Sequence, residues 1–157
     1  MAERWPDLGG RLVAGGHVLA VRVYYEDTDF SGAVYHANYL KFCERGRSDY
    51  LRLLGIHHHE LKAGIEGLAF VVSRMECEFR RPARIDDVVE VETRFREQSG
   101  ARLRLDQEIS RMGESLFMAS VTVAVVDGQG RPRRLPAAIL GAVPRGRSAP
   151  RRRGSSG

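Results

Sequence analysis

The chain has 157 residues, 43% hydrophobic and 29% charged, with two cysteines and a formal net charge of +5. The length suits one domain with a sizeable core, and the composition is ordinary for a globular protein. Two cysteines exclude a disulfide framework. The lack of any apolar run near the roughly 20 residues of a membrane helix excludes a helical span.

The charge is unevenly placed. Eight of the 25 basic residues lie at or beyond Arg131, with none of the 20 acidic ones. That leaves 17 basic against 20 acidic residues before it, a net −3. Residues 144–157 are rich in Arg, Ser, Gly and Pro and have no apolar period. They are expected to form a basic, disordered tail. No nucleic-acid binding is expected, because the body lacks an aromatic–basic surface pattern. Met1–Gly10 carries Glu3 and Asp7 and no apolar core of a secretory signal, so a cytoplasmic location is expected.

Residues 1–16 read as an N-terminal lead-in, loose and glycine-rich from Leu8 to Gly16. From His17 to Tyr25, Leu19, Val21 and Val23 share one face and Ala20 and Arg22 the other, which is a period-2 strand. The strand runs into Glu26-Asp27-Thr28-Asp29, and Ser31-Gly32 supplies a turn.

A helix is predicted from about Ala37 to Leu54. Tyr39, Leu40, Phe42, Cys43, Gly46, Tyr50, Leu51, Leu53 and Leu54 share its apolar side. Asn38, Lys41, Arg45, Ser48, Asp49 and Arg52 share the other. The apolar arc is wider than the stripe of a helix lying on a surface, so a sheet should wrap it in part. Gly46 costs about 1 kcal/mol relative to Ala in mid-helix, and its place on the apolar side predicts a close strand. Gly55 is the expected C′ cap. Arg47 lies inside the arc, with Glu44 at its edge one turn earlier. An ion pair or an inter-subunit contact is expected there, since a buried Arg needs a partner.

His57-His58-His59-Glu60 is read as a solvated short helix or loop. Adjacent histidines do not share a helix face, and no second ligand cluster follows at zinc-site spacing. No metal site is expected.

The remainder reads as four strands. Leu68 to Phe79 ends with Met75, Cys77 and Phe79 on its inner face. Val89, Val91, Thr93 and Phe95 alternate with charged residues, as do Leu103, Leu105 and Ile109. Ser99-Gly100 and Met112-Gly113 are hairpin turns. Leu116 to Val126 is apolar enough for a central strand. Cys43 and Cys77 are both read as small core residues. The sum is an α+β fold, one long helix packed on an antiparallel sheet.

The strand-to-helix junction is where chemistry is expected. Asp29 ends a strand a few residues before a helix N-terminus. Free N–H groups of a first helical turn can stabilise an oxyanion, and a nearby carboxylate can attack a carbonyl or activate water. On spacing alone, Asp27 and Asp29 could equally do no more than satisfy turn donors.

The run from Val23 to Leu40, Val-Tyr-Tyr-Glu-Asp-Thr-Asp-Phe-Ser-Gly-Ala-Val-Tyr-His-Ala-Asn-Tyr-Leu, resembles the signature of the hotdog-fold 4-hydroxybenzoyl-CoA thioesterase family. It is most similar to the branch associated with the bacterial Tol-Pal system, and Phe42, Glu44, Arg45 and Arg47 continue the likeness. The resemblance covers roughly residues 17–140, within a domain expected at 17–143. It implies a hotdog fold, an antiparallel sheet wrapped around one long central helix, and acyl-CoA thioester hydrolysis without cofactor or metal.

By the same resemblance Asp29 is the catalytic carboxylate. His36 supplies a backbone N–H to the thioester carbonyl, with possible help from its side chain. Tyr35 and Asn38 line the substrate side by shaping the turn and the helix start, and Asp27 is structural. Phe30-Ser31 stands where related sequences often have Ala-Gly, which leaves acyl preference open. Arg80, Arg81 and Arg84 follow a strand end and could hold the phosphates of coenzyme A, or form a solvated basic loop. The family implies a homo-oligomer, a dimer or a dimer of dimers (homotetramer), with the acyl pocket between subunits. A second reading is a binding or scaffold protein acting with cell-envelope or lipid-synthesis partners.

Overall fold

The computed structural model describes residues 4, 5, 7–56 and 67–143. The histidine run 57–60 and residues 144–157 lie outside the described residues. Among the described residues six strands form one antiparallel sheet. They are β1 (Arg11–Val13), β2 (Gly16–Arg22), β3 (Ala69–Phe79), β4 (Val88–Ser99), β5 (Arg102–Arg111) and β6 (Glu114–Val126). Their spatial order is β1-β2-β4-β5-β6-β3. The helix α1 (His36–Leu53) packs across β1, β2, β4 and β5, and a single turn, α2 (Ala137–Leu140), closes the described chain. This is the hotdog arrangement. Among the described residues no helix is long and apolar enough to cross a membrane.

The sheet follows from its two-residue period. Val89, Val91, Thr93 and Phe95 of β4 are buried, as are Leu103, Leu105, Gln107 and Ile109 of β5. The pairs Val91↔Ile109, Ile109↔Phe117 and Leu105↔Val121 lay continuous apolar rows under α1. Charged residues fill the other face, with Arg74–Glu76, Arg96–Asp106 and Arg104–Glu97 paired along it. From the helix, Tyr39, Phe42, Cys43, Tyr50 and Leu51 are buried. Phe42 and Phe117 are almost wholly covered, and burying each such side chain contributes about 1.5–3 kcal/mol.

Gly46 meets the sheet as its position predicted. A Cβ there would stand 2.9 Å from Val91 Cγ1 and 3.2 Å from Thr93 Oγ1. Beneath it, Gln107 donates to the Cys43 carbonyl and to Thr93 Oγ1, each at 2.9 Å. Its Oε1 accepts from Arg47 Nη1 at 2.9 Å. Arg47 thus finds a neutral amide where an ion pair was one expectation, and Glu44 forms no ion pair among the described residues. Burial pushes the Arg47 guanidinium below its ordinary value. Gly55 follows the helix, with its N–H donating to Arg52 O and that of Ile56 to Leu51 O.

Several expectations need correction. Arg11–Val13, within the loose lead-in, forms an edge strand on β2. The strand expected to reach Tyr25 stops at Arg22, and Tyr25–Asp27 makes a 3-10 turn. Asn38 and Asp49, placed on the polar side of α1, are buried, while Leu40 and Leu53 are exposed. Asp49 is buried because the lead-in folds over it. It accepts from Gly10 N at 2.8 Å, is hydrogen-bonded to buried His17 Nε2 at 2.6 Å, and pairs with Arg52.

Cys43 is buried as expected, and burial pushes its thiol up to about 12. Cys77 is exposed. It lies on β3, which has β6 on one side and no strand on the other among the described residues.

Candidate active site

Asp29 sits at the tip of a hairpin tied on three sides. Val23, just past β2, donates to Asp87 O at 2.8 Å and accepts from Asp86 N at 2.9 Å. Val34 N donates to Ala83 O at 2.9 Å, and Ala33 bridges Arg84. The 82–87 loop therefore lies alongside the hairpin. Across the hairpin, Asp29 N donates to Ala33 O at 2.8 Å and Gly32 N to Asp29 O at 3.0 Å. Gly32 has φ +82°, a conformation that glycine adopts without steric cost.

The two acids of the motif have different surroundings. Asp27 is buried. Its Oδ2 accepts from Tyr24 N at 2.8 Å, and its carbonyl accepts from Tyr35 N and Asn38 Nδ2, each at 2.9 Å. These bonds join the 3-10 turn to the start of α1. Asp29 is exposed. Its Oδ1 accepts from Ser31 Oγ at 2.5 Å and from Ser31 N at 2.8 Å. The Ser31 hydroxyl, then its N–H, hold the Asp29 carboxyl below the usual carboxylate range, and the charge of His36 acts in the same direction.

Tyr35 is the N-cap of α1 and is half-exposed, and His36, its first residue, is exposed. Asn38 N donates to Tyr35 O at 2.8 Å. The N–H groups of His36 and Ala37 have no acceptor inside the helix, as for any first turn. The His36 ring lies 4.4 Å from the Tyr35 ring and edge-on to Phe79 at 6.3 Å. Phe79 meets Phe117, which stacks on Tyr39 at 5.3 Å. Asn38 is buried and works as a brace on Asp27.

Arg80, Arg81 and Arg84 all stand near the end of β3 but in different states. Arg80 binds Glu78 and Ser115, and Arg81 pairs with Glu114 at 3.3 Å. Arg84 uses its backbone N–H toward Asp87 Oδ2 at 2.8 Å, and among the described residues its guanidinium forms no ion pair.

Sequence reasoning missed the bracing of the 82–87 loop. Tyr39 OH accepts from Ala83 N at 2.9 Å. Asp87 accepts from Arg111 Nη1 at 2.7 Å. Tyr39 had the signal of an apolar helix position, and Asp87 that of a turn. Arg111 is 24 residues from Asp87, so no local pattern links the two.

A cavity of about 300 Å³ opens between α1 and the sheet. Its walls are Leu51, Phe70, Val72, Leu103, Leu105 and Val123, with Glu44, Arg47 and Ser48 adding polar groups. Neither Asp29 nor His36 of the same chain lines it. Among the described residues, no three His, Cys, Asp or Glu side chains gather as a metal site would require.

The profile of the family described as Thioesterase superfamily matches residues 31–118. The chain belongs to that superfamily, in its hotdog-fold form. It is 43% identical over 124 residues to the acyl-CoA thioester hydrolase YbgC of Escherichia coli O6:H1, covering 76% of this chain and 90% of that protein. It is 40% identical over 132 residues to the acyl-CoA thioesterase YbgC of Haemophilus influenzae, covering 83% and 96%. The crystal structure of a probable thioesterase from Bartonella henselae superposes with a TM-score of 0.75 at 46% identity, covering 77% of this chain and 99% of that one.

Proposed function

We propose that this protein hydrolyses the thioester of an acyl-CoA, with Asp29 as the catalytic carboxylate and the first turn of α1 as the oxyanion site. The observation that carries the reading is an exposed, ionised Asp29 set on a braced hairpin beside a helix start. The likeness to the YbgC proteins named above supports the substrate class.

In this reading the thioester carbonyl oxygen approaches the His36 N–H, where the helix dipole favours negative charge. Asp29 either adds to the carbonyl carbon or takes a proton from a water that adds to it. The tetrahedral oxyanion then collapses, the C–S bond breaks, and coenzyme A leaves as thiolate; on the direct route water then cleaves the acyl–Asp29 anhydride, and on either route the free acid is released and the proton from water passes to the thiolate or to solvent. A thiolate is a good leaving group, so the step needs no positioned general acid. Arg84 is best suited of the three arginines to hold a coenzyme A phosphate, because Arg80 and Arg81 are engaged with Glu78 and Glu114.

The acyl group would enter the cavity beneath α1, which reaches β3 at Phe70 and Val72. Among the described residues that strand is the last of the sheet, with Val71, Val72 and Phe79 exposed. A second copy adding to it would complete the sheet and the pocket wall. The reading also takes in a cytoplasmic location and a place beside the Tol-Pal envelope system, on the resemblance of the junction motif.

The test is steady-state hydrolysis of a panel of acyl-CoAs by wild type and Asp29→Asn. The variant should lose roughly two to four orders of magnitude in rate, as for removal of a general base, with an unchanged melting curve. A folded variant that keeps more than about a tenth of the wild-type rate would overturn the assignment of Asp29.

A further inference from the structure

Ser31 lies two residues beyond Asp29 in the same turn, and its hydroxyl touches the carboxylate on which the proposed reaction depends. Ser31 Oγ donates to Asp29 Oδ1 at 2.5 Å and Ser31 N donates to the same oxygen at 2.8 Å. A glycine in that place would keep the second bond and lose the first. Two donors on Oδ1 fix the carboxylate plane and leave Oδ2 as the oxygen that can reach a substrate. We propose that Ser31 is a positioning residue, which orients Asp29 so that Oδ2 alone faces the thioester carbonyl or the attacking water. This rests on Asp29 being the catalytic carboxylate.

The neighbouring groups do not provide that hold. Asp27 is turned to Tyr24 N and is occupied there. From α1, His36 acts on Asp29 through its charge, and Tyr39 spends its oxygen on Ala83 N. From the adjoining loop, Arg84 meets the hairpin through the backbone bridge at Ala33. Among the described residues, Asp29 takes its side-chain hydrogen bond from Ser31.

The hydroxyl has two effects that pull the rate in opposite directions. It makes the carboxylate a weaker base, so removing it should raise reactivity and move the acid limb of the pH profile upward. It also restricts rotation of the carboxylate, and freeing that rotation should lower the rate. Orientation effects outweigh modest changes in basicity when the reacting atoms must align, so the net change should be a loss.

The experiment uses the full chain, an acyl-CoA that the wild type hydrolyses well, and the variants Ser31→Ala, Ser31→Thr and Asp29→Asn. Ser31 and its turn are exposed, and Ser31→Ala keeps the N–H bond, so melting curves should coincide. For Ser31→Ala we expect the plateau kcat to fall about tenfold with KM within about twofold. The acid limb should move up toward the ordinary carboxylate value near 4. Ser31→Thr, which restores the hydroxyl, should recover both. A plateau kcat for Ser31→Ala equal to or above wild type would overturn the positioning role, as would a Thr variant no better than Ala. The Asp29→Asn arm separates the two ideas. If it abolishes hydrolysis while Ser31→Ala changes nothing, the role of Ser31 fails alone. If Asp29→Asn stays active, the underlying reading fails with it.

Discussion

At the scale of single residues, the motif from Asp27 to Asn38 was legible because its cues are local. A glycine turn, a helix start and two acids fall within a dozen positions, and the structure brings them to one place. The partners of Asp49 were not legible. His17 lies 32 residues away, and Gly10 lies 39 residues away in a stretch with no strand period. A helical projection therefore assigned Asp49 to solvent. The structure makes it the anchor of the lead-in, which yields a stability prediction. Asp49→Ala strands the His17 ring nitrogen and the Gly10 N–H in the interior, at a cost of about 3 kcal/mol, readable by urea denaturation. Burial alone pushes the Asp49 carboxyl up, but donations from Gly10, His17 and Arg52 more than offset it and the net shift is downward. A depressed carboxyl contributes stability that is present above the unfolded value near 4 and lost as pH falls through the folded value. Asp49→Asn should flatten the pH dependence of the unfolding free energy in that acid window.

At the scale of elements, the long helix was read to within one residue at each end, and its glycine was read for what it does. Gly46→Ala sets two effects against each other. Helix propensity gains about 1 kcal/mol. The added carbon meets Val91, which is fully buried. Overpacking of this kind costs about 1–3 kcal/mol, so the net should be a small loss of stability, and Gly46→Val should lose clearly more. Thermal melts of the two variants against wild type check the order. The three-residue β1 escaped notice because a strand so short shows no alternation. Gln107 escaped because a polar residue on an inner face carries no sequence sign of its role. It bonds the Cys43 carbonyl, Thr93 and Arg47 together beneath the helix.

At the scale of the whole molecule, the alternation of β4 and β5 and the apolar run of β6 were enough to give the sheet, but not which strand would lie at its margin. Cys77 was read as core from the pattern of its own strand. Its exposure is a property of strand order, since β3 pairs with β6 and ends the sheet. Among the described residues β3 ends the sheet, and its exposed Val71, Val72 and Phe79 favour association. Light scattering should give a mass at least twice the 17.6 kDa of one chain. The pair Val71→Lys and Val72→Lys should shift it toward the single-chain value, because charge on an edge strand opposes pairing. A wild-type mass near 17.6 kDa would remove the basis for a pocket shared between copies.

The hairpin that carries Asp29 is fastened almost wholly by main-chain atoms: Asp29 to Ala33, Val34 to Ala83, Tyr35 to Asp27. Such fastenings are indifferent to the side chains strung between them. Phe30, at the tip, projects fully into solvent. The tip is thus open to variation by natural drift or by design. New side chains at position 30 leave those main-chain bonds in place, so the carboxylate keeps its address in the fold.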